Sequence, residues 1–453
     1  MTPERISLKT ARLTRRRALC LAGSAVLGGL VGGCFSGSRP VRLTLWHVWR
    51  GRQERLFQEM LDRFLARNPG LEINSVPIAI SSVLEKLVQA GRTHSLPDVF
   101  VINSGWLQTL VAKQWLANLG EKARADGLDL AGRLLSRDYE RGFFEGTLLA
   151  LPAVTSCATA MFYSRTRLLE QAGVPAATRY ARWDELTEVS REVVGKLNRS
   201  SGLDVIGFDP FWGPGLQTFH ALSFGLNTPT VSPDRRVSLI NTAGPMRVAR
   251  AMDDYVERVY GPWGGHRALL PWRQRHAGIF NQTSVAAFSR GEQVFTLGGV
   301  WVLGDVLADN PALDLAVQPV PGLEGLHGGT NGHAWAYAMN RGTAHPKEAW
   351  SLLRYVSVDE EGNGRYCAAL RRSCPIATVN DWPEFRNLGP VWAGVREAMA
   401  GDVPFDTTTD QEYLRPMLFE VPLRRVAGER IETIFKDIHR RYQTYLDKTR
   451  GDK

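Results

Sequence analysis

Positions 41–70, VRLTLWHVWRGRQERLFQEMLDRFLARNPG, decide the fold class. Val41, Leu43 and Leu45 alternate with Arg42 and Thr44, the period of two that a half-buried strand requires. Leu56, Phe57, Met60, Leu61, Phe64 and Leu65 then recur at helical spacing, and Asn68-Pro69-Gly70 stops the helix. The unit repeats. Residues 71–76 read as a strand, Val83, Leu84, Leu87 and Val88 as a helix, 99–102 as a short apolar strand, and Leu107, Leu110 and Val111 as the start of another helix. Such alternation predicts an α/β protein whose parallel sheet carries helices on both faces. Ligands of such sheets lie beyond the carboxyl ends of the strands.

Tryptophan gathers at those ends. The first strand runs into Trp46-His47-Val48-Trp49-Arg50 and the third into Asn103-Ser104-Gly105-Trp106. Residues 205–208 read as a strand leading to Asp209-Pro210-Phe211-Trp212, and 293–297 as one leading to Gly298-Gly299-Val300-Trp301. An indole in a loop exposes a large apolar face to water. Any one of these rings can simply pack back on its own lobe. Four at equivalent corners point instead to flat platforms for the apolar face of a sugar ring, with neighbouring Asn, Asp, Ser and His for its hydroxyls.

Downstream, 315–320 reads as a strand, and Gly328-Gly329-Thr330-Asn331-Gly332 as a hinge or a plain loop. A helix follows with Pro346 in its first turn, and the chain ends in an amphipathic helix carrying Ile431, Ile434, Phe435, Ile438, Tyr442 and Tyr445. The sequence shows no internal repeat and no low-complexity block.

The N-terminus reads as an export signal. The basic region ending Arg15-Arg16-Arg17-Ala18-Leu19 precedes an uncharged apolar run over 18–33, shorter than the roughly 20 residues that span a bilayer core. The run closes in Val31-Gly32-Gly33-Cys34, similar to a bacterial lipobox in which Cys34 is acylated. The paired arginines resemble a twin-arginine signal, with the general secretory route as the other way out; a membrane anchor or a buried helix is the alternative to an export signal. These features predict a signal peptide over 1–33, a lipidated linker over 34–40, and a chain tethered outside the cytoplasmic membrane. The net charge of the 453-residue chain is +9, but 1–33 hold six basic groups and one acid, so the remaining 420 residues carry +4. Nucleic-acid binding wants a concentrated basic stripe, and none is present. Cys367 and Cys374 lie seven apart, and an oxidising compartment permits their pairing; the sequence leaves the bridge open. Cys157 reads as a small buried hydrophobe.

Catalytic and cofactor motifs are missing: no Walker loop, no G-x-G-x-x-G after a strand, no H-E-x-x-H. His327 and His333 are two ligands where a metal wants three or four. Asp253-Asp254 and Glu360-Glu361 read as solvated surface, which leaves Asp209 as the one acid at a ligand-facing corner, either accepting hydroxyls or serving a glycan-active enzyme. The expectation is binding without chemistry, with no cofactor and no metal.

The chain resembles the extracellular solute-binding proteins of family 1, the maltose-binding type that serves ABC importers. Beyond residues 41–52, the resemblance rests on Pro97-Asp98-Val99-Phe100, Gly146-Thr147-Leu148-Leu149-Ala150-Leu151-Pro152, Met161-Phe162-Tyr163-Ser164, Ala172-Gly173-Val174-Pro175, Arg182-Trp183-Asp184-Glu185-Leu186 and the segment 288–301. It implies a two-lobed periplasmic-binding-protein fold of type II with the ligand between the lobes. The implied first lobe comprises 41–152 and 333–375, the second 153–332 and 376–453. Trp301 would be the strongest platform, with Gly299 beside it. Trp46, His47, Trp49 and Arg50 would form one ligand loop, and Asn103, Ser104 and Trp106 another. Thr155 and Ser156 would lie at the first hinge, and Asn331 would be among the ligand-binding residues. Asp209, Phe211 and Trp212 would face them from the second lobe, with Tyr413 and Arg415 nearby. The implied partners are a sugar and an ABC permease, and the implied state a monomer. Acids that the maltose binder carries after strands one and three are replaced by Trp49-Arg50 and Asn103-Ser104, so maltodextrin does not carry over. A phosphorylated polyol held by Arg50, Arg52 or Arg415 is the alternative ligand.

Overall fold

A computed structural model describes residues 40–111, 113–154, 159–199, 202–212, 215–234, 236–275, 282–309, 314–327, 329–330, 335–401 and 410–448. The export-signal expectations, Cys34 included, fall on 1–39, outside the described residues, as do Cys157, Thr155, Ser156 and Asn331.

β1 (Val41–His47) buries Leu43, Leu45 and His47 on one face and leaves Trp46 half-exposed on the other, as its alternation dictates. α1 (Arg52–Arg67) buries Phe57, Met60, Leu61 and Phe64, and Asn68 ends it by donating from its amide to the Phe64 carbonyl at 2.8 Å. β2 (Leu71–Pro77) and β3 (Val99–Asn103) flank β1 in parallel, with α2 (Val83–Arg92) connecting them. β3 is buried at all five positions, as a central strand must be. The sheet is completed by β4 (Ala150–Pro152) and by β9 (Trp335–Met339), which returns late in the chain and lies antiparallel between β3 and β4. The fully parallel sheet expected from the strand–helix alternation is therefore confined to β2, β1 and β3.

A second sheet forms around β5 (Thr159–Arg165), which pairs antiparallel with β6 (Phe295–Gly298), β7 (Leu315–Gln318) and β8 (Gly329–Thr330). The chain passes between the two sheets twice, from β4 to β5 and from β8 to β9. Residues 205–208, read as a strand, make one isolated bridge, Ile206 to Gln293. Three backbone bonds join Ile206 and Gly207 to residues 292–295, too few to extend a ladder.

Two hydrophobic cores meet at β5. Met161 and Tyr163 point into the core that covers the first sheet, whereas Phe162 points into the other. The second core is built on α3 (Trp183–Leu197), α4 (Ala243–Tyr260), α5 (Leu269–Arg275), α10 (Asp410–Val426) and α11 (Ile431–Lys448). The first core takes α6 (Trp301–Asp309), α7 (Pro346–Val358), α8 (Arg365–Leu370) and α9 (Pro390–Ala400), and extends through Val379, Phe385, Trp392 and Val395. α9 reaches β7 closely because Gly394 has no side chain: a Cβ there would stand 2.0 Å from the Val317 carbonyl oxygen.

Candidate functional site

Register gathers one edge of the first sheet. β1 ends at His47 and β3 at Asn103; β9 begins at Trp335, directly opposite Asn103; and Ala336 pairs with Pro152 at the end of β4. Everything the chain offers beyond the carboxyl ends of its parallel strands therefore lies on this edge.

The first corner divides its residues between core and edge. Trp49 is only 3 % exposed: it packs against Phe57 and Tyr366, and its Nε1 donates to the Tyr337 hydroxyl at 3.0 Å. With both its ring and its donor engaged, Trp49 is a core residue, and the expectation that it stacks on a ligand is withdrawn. His47 is buried against Phe57, and its Nδ1 accepts the Trp49 backbone N–H at 3.2 Å. Burial, reinforced by the Arg50 charge, lowers the His47 pKa to about 4, so a neutral ring serves this role. Arg50 is exposed, and Trp46 stays half-exposed above the core.

The third strand ends in a turn that Asn103 makes for itself. Its Oδ1 accepts the Gly105 N–H at 2.9 Å, which starts the short helical turn holding Ser104 and Trp106. Trp106 is nearly buried and meets Trp335 edge to face, 5.8 Å between ring centroids at 81°. Trp335, half-exposed, belongs to this site although the sequence reading passed over it. Its signal was weak: an aromatic one residue beyond a Gly–His–Ala segment, whose return to the first sheet is a long-range pairing.

Trp301, half-exposed, opens α6 at the end of β6 and leans on the first core. Gly299 before it is buried, and its carbonyl oxygen accepts the Tyr163 hydroxyl at 2.9 Å and the Val302 N–H at 3.1 Å. Gly299 therefore positions the helix that carries Trp301, with its oxygen already engaged.

The corner expected to face them is largely self-satisfied. Asp209 is 3 % exposed, and both carboxylate oxygens receive the Arg273 guanidinium, at 2.7 and 3.0 Å; Oδ1 also accepts the Phe211 N–H at 3.2 Å. Buried and held this way, Asp209 has its charge compensated inside its own core. Phe211 is buried beside His266, which leaves Trp212, half-exposed against Phe419 at 6.0 Å. Tyr413 and Arg415 fall on α10, with their side chains outside the described residues.

Asp253, read as solvated surface, converges with Glu257 and His266 within 4.8 Å, a set of metal-ligand type. A cation is already there: Arg425 donates to Asp253 at 2.7 Å and reaches Glu257 at 3.4 Å. Asp253, Glu257 and Arg425 line a cavity of about 320 Å³ on the second core, and a cavity of about 270 Å³ lies between Leu56, Arg63, Tyr366 and Trp382 on the first. Neither is lined by the strand-end residues. Among the described residues no helix is long and apolar enough to cross a membrane.

Residues 51–362 match the model of the bacterial extracellular solute-binding protein family. The chain is 27 % identical over 223 residues to proteins of Brucella abortus and Brucella suis named as binding proteins; it spans about half the length of the curated relatives it matches. Solved structures resemble it over far more of the chain. The ABC substrate-binding protein of Listeria monocytogenes, solved with cycloalternan, superposes with a TM-score of 0.74 at 16 % identity, covering 91 % of this chain and 99 % of that one. The GacH receptor of Streptomyces glaucescens, solved unliganded and with acarbose, gives 0.70 at 18 % identity over 90 % and 99 %. The sugar-binding protein MalE of Xanthomonas citri gives 0.71 at 17 % over 91 % and 98 %. At these identities the likeness establishes the two-lobed fold.

Proposed function

The chain belongs to the bacterial extracellular solute-binding proteins, and from that premise we propose that it captures a neutral sugar or oligosaccharide between its lobes and delivers it to the permease of an ABC importer. The observation that carries the reading is the sheet edge where half-exposed Trp335, braced edge to face by Trp106, stands opposite Asn103, with Trp46 half-exposed near the end of the neighbouring strand. Half-exposed indoles held rigidly offer apolar faces at little entropic cost, which suits the C–H face of a sugar ring. Trp301 joins that surface on the first core, Trp212 on the second core supplies the opposing one, and a ligand touching both sides selects the closed form. The lobe limits inferred from the sequence, the lipid anchor at Cys34, export by the general secretory or the twin-arginine route and a monomeric state belong to the same proposal. With Asp209 locked by Arg273, a glycan-active enzyme loses its one candidate acid.

A thermal-shift panel of neutral mono- and oligosaccharides, polyols and glycerol phosphates tests this. A ligand at 100 times its Kd stabilises by about 2.7 kcal/mol. The expected result is a shift with a neutral sugar that disappears in Trp335→Ala and in Trp301→Ala, while Trp49→Phe keeps it. A shift with glycerol phosphates alone would sink the neutral-sugar reading in favour of a phosphorylated polyol.

A further inference from the structure

α8 ends in an unusual way for its sequence. Arg371 takes the left-handed conformation, φ 52°, at a position where glycine is the common choice. Its N–H donates to the Ala368 carbonyl at 2.9 Å, and the Arg372 N–H to the Cys367 carbonyl at 3.0 Å, the pair of bonds that turns a chain back over its own last helical turn. The fold-back brings Cys374 onto Cys367.

Both cysteines are fully buried in the first core, and each is held by an asparagine. The Cys367 thiol donates to Asn363 Oδ1 at 3.6 Å, and Asn363 is itself anchored on the Ser357 carbonyl at 2.8 Å. Asn380 Oδ1 accepts the Cys374 N–H, and its amide donates to the Cys374 carbonyl, both at 2.8 Å. Both cysteines are free thiols in this structure, and burial first, then the neighbouring Cys367 thiol, pushes the Cys374 thiol well above the usual range. Two small hydrophobes would account for the burial but not for the convergence of two sulfurs on a closed turn. Members of an extracellular family also fold or reside where thiols are oxidised.

We propose that Cys367 and Cys374 are a disulfide site, occupied when the chain folds outside the cytoplasm. One cysteine thiolate attacks the reactive disulfide of an envelope dithiol oxidant, forming a mixed disulfide. The second thiolate then displaces the oxidant's sulfur. The two cysteines together lose two protons and two electrons, and the oxidant leaves as a dithiol. Because both sulfurs are inaccessible in the folded chain, the exchange occurs while the end of α8 is open, during folding or export. The bridge would clamp the segment that braces α6. The Leu370 carbonyl oxygen occupies the space above Gly304, where a Cβ would stand 2.2 Å away, and Arg372 donates to Asp305 at 3.0 Å. α6 begins with Trp301, so the staple sits under a proposed ligand platform.

The inference rests on the family's extracellular location and is independent of which ligand binds. The chain is purified from an oxidising compartment, and separately refolded from reduced, unfolded protein with oxidised glutathione. It is then denatured and alkylated without reductant, digested, and mapped by mass spectrometry. The expected outcome in both samples is one cross-linked peptide joining Cys367 to Cys374, two hydrogens lighter, which becomes alkylatable only after reduction. Reduction is expected to lower Tm by about 2–5 °C, because an eight-residue closed loop constrains the unfolded chain. The Cys367→Ala, Cys374→Ala double variant should match the reduced protein and ignore the oxidant. Free alkylation of both cysteines in the two samples, or pairing of either with Cys157, would overturn the proposal. The mass measurement on the unaltered chain decides this even if the variants fold poorly, and it leaves the sugar panel unaffected.

Discussion

The corner that ends β1 and the corner at Asp209–Trp212 share a vocabulary: an aromatic pair, a titratable group and a terminal indole. They resolve the same problem in opposite ways. In each, one ring turns inward, Trp49 in the first and Phe211 in the second, and one indole stays half-exposed, Trp46 and Trp212. The titratable groups differ. His47 sits in the interior as a neutral ring accepting a backbone N–H, its pKa lowered to about 4 by burial. Asp209 sits in the interior as one half of a two-point ion pair with Arg273. A buried base can shed its charge, whereas a buried carboxylate in this setting has been given a counter-charge. The first corner should therefore respond to pH and the second to mutation of its partner.

The largest effect is expected at the second corner. Arg273→Met removes the guanidinium and leaves Asp209 buried at 3 % exposure with its charge uncompensated. Breaking a buried pair in this manner costs about 3–5 kcal/mol. Urea unfolding of the variant should show that loss, and the companion Asp209→Asn, Arg273→Met double variant should recover part of it. A loss under 1 kcal/mol in the single variant would mean that the pair is solvated and the contrast between corners is wrong.

Much of this arrangement was legible in the sequence, and the reasons divide cleanly. β1, α1, β2 and β3 were readable because alternation and helical spacing are local signals, and the order of motifs made the family recognisable. The insertion of β9 between β3 and β4 was not, because antiparallel pairing across more than 180 residues leaves no trace in local periodicity. Trp335 was missed for that reason. The failure at Trp49 is different in kind. A tryptophan at a strand end looks identical whether its ring faces ligand or core, and the choice was made by Phe57 on the adjacent helix together with Tyr337 and Tyr366, which arrive from two distant elements. Asp209 was misread likewise: its partner lies 64 residues away on α5.

The next effect belongs to the first corner and to pH. The folded pKa of His47 lies below its unfolded value of 6.5, so between those values the unfolded chain binds the extra proton. Stability from this group is complete above pH 6.5 and is lost as pH falls toward 4. From pH 7 to pH 5 the loss is about 2 kcal/mol, since each unit of pH below the unfolded pKa costs about 1.4 kcal/mol until the folded pKa is reached. Unfolding free energies of wild type and His47→Asn at pH 7 and pH 5 separate this from the carboxylates. The variant is less stable at pH 7 but should lose about 2 kcal/mol less on acidification, and equal losses would remove His47 as the pH-sensitive group of its corner.

The smallest effect tests the boundary of the comparison, the outer face of the same strand. Arg42 and Glu72 pair across β1 and β2 at 2.8 Å, with side chains 73 % and 47 % exposed. The geometry rivals that of Arg273 with Asp209, yet water screens both charges and two long side chains must be immobilised to hold the contact. Arg42→Ala is expected to change stability by less than about 0.5 kcal/mol at 0.15 M salt. A change above 1 kcal/mol would show that distance rather than burial sets the strength of these pairs. The contrast would then rest on geometry alone, and Arg273→Met would lose its claim to be the larger perturbation for the reason given.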